Sequence, residues 1–238
     1  LIGIAILWQA NRHAQSSADF EKNNMVLGRY FSPDIKNEIE ETGLNFSEYI
    51  PKNLNVAVLF TDIVGFTKLS EKMEPNDVLE LLSEYQTIMV ECIFEFNGTV
   101  DKFIGDAVMA NFGTPKSYGN DAQNAFNCAK KMKSMLHEWN KNRIDNRQKI
   151  IEHRIGIHYG ECIVGNVGGE KRVEYTVLGD TVNVASRLCD LSKVFNNDLL
   201  ISKALYDQIE IVEEYEEFNS HPIKGRKEKI DLISVFLD

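Results

Sequence analysis

Paired cysteines are missing from this sequence. Cys92, Cys128, Cys162 and Cys189 stand far apart, and none forms a C-x-x-C pair. They fall in apolar helical or strand runs, which reads as buried free thiols in a reducing compartment. An excess of basic charge is missing too. With 26 Lys and Arg against 36 Asp and Glu, the net charge of -10 argues against a nucleic-acid partner. Any polyanionic ligand therefore needs local positive charge or metal. No internal repeat or low-complexity segment stands out. The apolar opening, Leu1 to Trp8, is far shorter than the roughly 20 residues a spanning helix needs. No basic residue precedes it and it has no small-residue cleavage site, so it makes a poor secretory signal.

The chain does have apolar content. At 43% hydrophobic over 238 residues it can build a real core and is not a disordered chain. That length suits one domain plus a short appendage. The sequence begins with Leu rather than Met and is expected to be a piece of something longer. Two readings of residues 1–10 stay open. They are the end of a membrane helix, with Arg12 on its cytoplasmic flank, or a linker whose apolar side packs on a partner. Residues 11–50 are expected to be a helical linker. Within it, 18–40 reads as helical, with Ser32-Pro33 starting a second helix at Asp34.

From Leu54 the pattern is mixed, and the domain is placed at 51–238. A buried strand is predicted over 55–62. A long helix is predicted over 75–96, where Pro75 suits the first turn. There Val78, Leu82, Tyr85, Met89, Cys92 and Phe96 repeat at three and four, a core-facing stripe. Strands over 99–104 and 107–112 flank Gly105-Asp106, a two-residue hairpin turn. A helix follows at about 119–140, then strands at 153–159, 161–167 and 172–178. Asp180 starts the next helix, to about 194, and reads as its N-cap. A strand at 198–201, a short helix and two closing strands end the domain.

Three segments carry chemistry. Phe60-Thr61-Asp62-Ile63-Val64-Gly65-Phe66-Thr67 sets a carboxylate at the end of an apolar run. The turn at Gly65 and the helix start after it present the N–H groups of Gly65, Phe66 and Thr67 to an anion. Asp101-Lys102-Phe103-Ile104-Gly105-Asp106 sets a second carboxylate at a hairpin. Two carboxylates on adjacent strands can share a pair of hard cations, an arrangement suited to in-line phosphoryl chemistry. Spacing alone leaves each as an ordinary turn acid, because their proximity is tertiary. The third segment runs Thr176-Val177-Leu178-Gly179-Asp180-Thr181-Val182-Asn183-Val184-Ala185-Ser186-Arg187-Leu188. Asn183 and Arg187, at i and i+4, share a helix face. Val182, Ala185 and Cys189 fall on the opposite one.

In this order the segments resemble the catalytic domain of class III nucleotide cyclases, specifically adenylate cyclases, over roughly 54–236. The resemblance implies an α/β (α+β) fold with a ferredoxin-like βαββαβ core and extra strands. It implies two Mg²⁺ or Mn²⁺ ions on Asp62, Asp106 and the carbonyl of Ile63, oxygen ligands that suit such cations. It makes Lys102 and Thr176 the base readers. Lysine only donates, so Lys102 fits adenine N1, while the Thr176 hydroxyl accepts from N6. Guanylate cyclases of the family carry Glu at the Lys102 position, and many adenylate cyclases carry Asp at the Thr176 position. Thr there resembles a bacterial subgroup, some of whose members respond to bicarbonate. Asn183 is implied to orient the ribose and Arg187 to stabilise charge on the transferring phosphate. Lys224, in Ile223-Lys224-Gly225-Arg226, is implied to hold the terminal phosphates. Leu27 to Pro33 is similar to pieces that precede the domain in bacterial members. Gly168-Gly169-Glu170 hints at diguanylate cyclases, a related fold. There, however, Lys171 and Arg172 stand where that family has Glu and Phe, and a hairpin turn explains the glycines.

The implied reaction is ATP to 3′,5′-cyclic AMP and pyrophosphate, at a head-to-tail homodimer with two interfacial sites. An upstream sensor or membrane part is expected, with the domain cytoplasmic and the full-length protein attached to the inner membrane. Two alternatives are a guanylate cyclase, disfavoured by Lys102, and an inactive regulatory module. The latter typically loses a metal Asp or the Asn/Arg pair, and here all are present.

Overall fold

The computed structural model describes residues 32–42, 51–169, 172–195, 197–223, 226 and 228–237. In chain order the elements are α1 (Pro33–Thr42), β1 (Lys52–Ile63), α2 (Phe66–Ser70), α3 (Pro75–Glu95), β2 (Thr99–Ile104) and β3 (Ala107–Phe112). Then come α4 (Asp121–Asp145), β4 (His153–Gly169), β5 (Arg172–Leu178), α5 (Asp180–Phe195), β6 (Leu199–Ser202), α6 (Lys203–Tyr206), β7 (Tyr215–His221) and β8 (Ile230–Val235). The predicted helix over residues 18–31, the membrane or linker segment and Lys224 lie outside the described residues. Among the described residues no helix is long and apolar enough to cross a membrane.

The sheet runs β2-β3-β1-β4-β6-β8-β7, with β5 hung on β4. Its first four strands, with α3 and α4, form the expected βαββαβ unit. β1 lies in the middle because its run Val56-Ala57-Val58-Leu59-Phe60 is apolar on both faces and is buried on both. Alternation sorts the two sides. Ala57, Leu59 and Ile63 pack with Tyr85 and Met89 of α3 and Phe126 of α4. Val56, Val58 and Phe60 pack with Ala185 and Cys189 of α5. Asp62 belongs to the second set by parity, so its side chain leaves the sheet on the α5 side.

Three features differ from the sequence expectation. Strands 153–159 and 161–167 are one strand, β4, because Gly160 stays in register opposite Val56. α4 runs to Asp145 rather than 140. Its last turn is anchored by Arg143, which donates Nε–H to the Lys149 carbonyl at 2.8 Å and lies over the Trp139 ring. In α3 the buried stripe is Leu81, Tyr85, Met89, Cys92 and Ile93, with Val78 and Leu82 only partly covered. Gly156 lets α5 lie directly on β4: a Cβ there would stand 2.2 Å from the Cys189 backbone nitrogen. All four cysteines are buried and unpaired, as expected.

α1 is joined to the edge of the sheet. Ser32 Oγ accepts the Val100 N–H at 3.0 Å and donates to the Val100 carbonyl at 3.3 Å. The predicted helix start at Ser32-Pro33 is therefore correct, and it sits against β2.

Candidate active site

β1 and the β2–β3 hairpin end side by side. Phe60 and Thr61 pair with Met109 and Val108, so the turn at Gly105-Asp106 reaches the end of β1. Oδ2 of Asp106 accepts the backbone N–H of Ile63 at 3.3 Å. Asp62 is its neighbour. Burial, then the hydrogen bond and like charge of Asp106, push the Asp62 carboxyl up to about 7. Lys193 of α5 pulls the other way and Asp190 adds to the rise. Two carboxylates crowded this way strain against their own charge, and added positive charge relieves them. Among the described residues no three His, Cys, Asp or Glu side chains gather into a larger cluster.

Immediately after Ile63 the chain turns through Gly65, which takes the left-handed conformation (φ 69°, ψ 25°) that L side chains adopt rarely. It caps α2 with no side-chain hydrogen bond. The first N–H groups of a helix have no acceptor within it, so those of Phe66 and Thr67 have no partner inside α2. Behind Asp62 lies a buried polar trio that the sequence reading did not single out. Thr61 Oγ1 and Tyr85 Oη are 2.8 Å apart, and each is 3.5 Å from His153 Nδ1.

A second cluster forms at the middle of β2. Thr176 Oγ1 donates to both Asp101 carboxylate oxygens, at 2.8 and 2.9 Å. The Val177 N–H donates to Asp101 Oδ2 at 3.2 Å. Lys102 Nζ lies 3.4 Å from Asp101 and 3.1 Å from Glu174. Burial alone would lower the Lys102 ammonium, and the two acids outweigh it and hold it above its ordinary range. Lys102 and Thr176 are thus brought together, as expected, with Asp101 between them. Asp101 went unremarked because strand alternation puts adjacent residues on opposite faces. A bulge between Val100 and Lys102 breaks that alternation.

On α5, Thr181, Val184, Ala185, Leu188 and Cys189 are buried, while Asn183 and Arg187 are exposed. Arg187 Nη1 holds Asp190 at 3.2 Å, one turn along the same helix. Asp180, read from sequence as an N-cap, instead pairs with Arg226 Nε at 3.0 Å. The reason is tertiary: the loop before β8 folds onto the start of α5. Ile223 in that loop is buried against Val184 and Leu188. Within one chain, Lys102 meets Asp101 and Glu174 and not Asp62 or Asp106.

The adenylate and guanylate cyclase catalytic domain model matches residues 48–235. The chain belongs to that family. It is 31% identical to adenylate cyclase 1 of Rhizobium meliloti over 84% of its own length and 33% of that protein's. It therefore spans about a third of that relative. The solved adenylyl cyclase CyaB of P. aeruginosa is 34% identical, with a TM-score of 0.71 over 79% of this chain and 96% of the other. The guanylyl cyclase Cya2 is 30% identical, with a TM-score of 0.71 over 79% and 95%. Fold and family are common to both nucleotide preferences, so the base pocket has to separate them.

Proposed function

We propose that this chain is the catalytic part of an adenylate cyclase, converting ATP to 3′,5′-cyclic AMP and pyrophosphate. The observation that carries the reading is Lys102 and Thr176 held side by side. Lys102 can only donate and so suits adenine N1, and Thr176 suits the 6-amino group. Guanine presents the reverse pattern at both positions.

The crowded pair Asp62 and Asp106 fits two hard cations, Mg²⁺ or Mn²⁺, with the Ile63 carbonyl as a further oxygen ligand. Such ions, when bound, favour the ionised ribose 3′-hydroxyl and neutralise phosphate charge. The chain's own groups do the rest. Amides of Gly65, Phe66 and Thr67 face the phosphates. Asn183 orients the ribose, Arg187 meets charge developing on the transferring phosphate, and Lys224 holds the terminal phosphates.

Lys102 is held by Asp101 and Glu174 rather than by Asp62 or Asp106, in keeping with a head-to-tail homodimer in which each site takes its carboxylates from one chain and its base readers from the other. Exposed apolar strand residues support the same assembly. Phe103 and Ile104 on β2, Ile163 and Val167 on β4, and Val173 and Leu178 on β5 are each 43–52% exposed. In the full-length protein, an upstream sensor or membrane part would regulate this domain from the inner membrane, with the domain cytoplasmic. Incubating the purified chain with ATP or GTP and Mn²⁺, then identifying the product, tests the reading. Cyclic AMP from ATP is expected, and cyclic GMP as main product would overturn it in favour of a guanylate cyclase.

A further inference from the structure

A threonine hydroxyl both donates and accepts. By itself, Thr176 therefore tells nothing between an amine and a carbonyl. Its surroundings remove the ambiguity. Thr176 Oγ1 is 2.8 and 2.9 Å from the two oxygens of Asp101, whose side chain is fully buried. An ionised carboxylate only accepts. The hydroxyl hydrogen is thereby committed inward, and the lone pairs are left to face a ligand. The same carboxylate fixes the surrounding backbone through the Val177 N–H at 3.2 Å and takes the Asn111 Nδ2 at 3.5 Å. Its other side steadies the Lys102 ammonium at 3.4 Å. Asp101 can reach both readers because it occupies the bulge between Val100 and Lys102.

We propose that Asp101 is the specificity-positioning residue of the base pocket. It makes Thr176 an obligate acceptor and sets Lys102 beside it as the donor, so the pocket takes a 6-aminopurine and refuses a 6-oxopurine. This rests on the adenylate cyclase reading above. Asp101 touches no substrate and acts through its two neighbours.

The test is the ratio of kcat/KM for ATP to that for GTP, measured with Mn²⁺ on the whole chain, with melting temperatures alongside. In Asp101→Asn the new amide donates to Thr176 and turns the hydroxyl hydrogen outward, toward a carbonyl. The ratio should fall about tenfold or more, the cost of mispairing one buried polar group. Asp101→Ser removes the carboxylate by a smaller route and should lower the ratio in the same direction. Thr176→Val should lower it too, and adding Asp101→Asn to that variant should lower it by less than Asp101→Asn does alone, the remainder being its effect through Lys102. Equal losses for both nucleotides at an unchanged ratio would make Asp101 a packing residue and overturn the proposal. Preference of the unaltered chain for GTP overturns the functional reading itself, before any variant is made. If the Asp101 variants do not fold, the unaltered chain still decides. Purine riboside triphosphate keeps the acceptor N1 and lacks only the 6-amino donor, and it should be used about tenfold less well than ATP. Equal use would overturn the proposal.

Discussion

Ile63 and Asp106 are joined by a single hydrogen bond, from the Ile63 N–H to the Asp106 carboxylate at 3.3 Å. That bond ties the hairpin turn to the end of the central strand and aims a second carboxylate at the place where Asp62 already stands. Burial first, and then this crowding, raise the Asp62 carboxyl, and the crowded pair is the feature most suited to divalent cations.

Removing either carboxylate should therefore separate activity from folding. Asp62→Asn and Asp106→Asn are each expected to lower cyclisation by at least a hundredfold, because each swap keeps the shape and deletes an anionic oxygen ligand. Mn²⁺ should raise the melting temperature of the unaltered chain and raise it much less in either variant. Near-normal turnover in one variant would remove that residue from the metal site.

Assembly can be tested by complementation. Asp62→Ala and Arg187→Ala chains should each be inactive alone. Co-expressed, random pairing makes about half the dimers mixed, and each mixed dimer rebuilds one of two sites. Roughly a quarter of the unaltered activity should return. No recovery from dimers shown to be mixed would place both residues in one within-chain site.

Flanking Lys224 in sequence, Ile223 is buried and Arg226 pairs with Asp180. Asp180→Ala and Arg226→Ala should each raise the KM for ATP by about threefold to tenfold, with the double variant no worse than either single one. Stability should move by only about 0–1 kcal/mol, as for other solvent-reached ion pairs. Additive losses would show that the two side chains work apart.

Acid should loosen the fold through two histidines. Burial pushes His153 down to about 4, and burial with the nearby Arg226 does the same to His158. Both are neutral in the folded chain, while the unfolded chain takes up protons near the ordinary 6.5. Their contribution is complete above about pH 6.5 and is lost as pH falls toward 4. Asp62 works oppositely in this window, since its raised carboxyl is relieved by protonation, so variants must be compared with one another. His153→Gln should melt with a shallower acid dependence between pH 7 and 4.5 than the unaltered chain. An equal slope would show that His153 titrates alike in the folded and unfolded chain.

Local chemistry was legible without coordinates. The run Val56 to Phe60 is too apolar for anything but a central strand, Gly105-Asp106 has room only for a turn, and a period of 3.6 puts Asn183 and Arg187 on one exposed face. Each of these follows from neighbours within a few residues. Contacts between distant segments depended on sheet register, which no local period encodes. Register brought Asp106 to Ile63 across 43 positions and Asp101 to Thr176 across 75. It also ran two expected strands into β4 and turned Asp180 from a helix cap into the partner of Arg226. A single bulge in β2 decided most, because one extra residue there puts Asp101 and Lys102 within reach of the same pocket. The sequence by itself determined which groups could do the chemistry. Which of them meet was decided by how the strands align, since a one-residue shift moves every side chain to the other face.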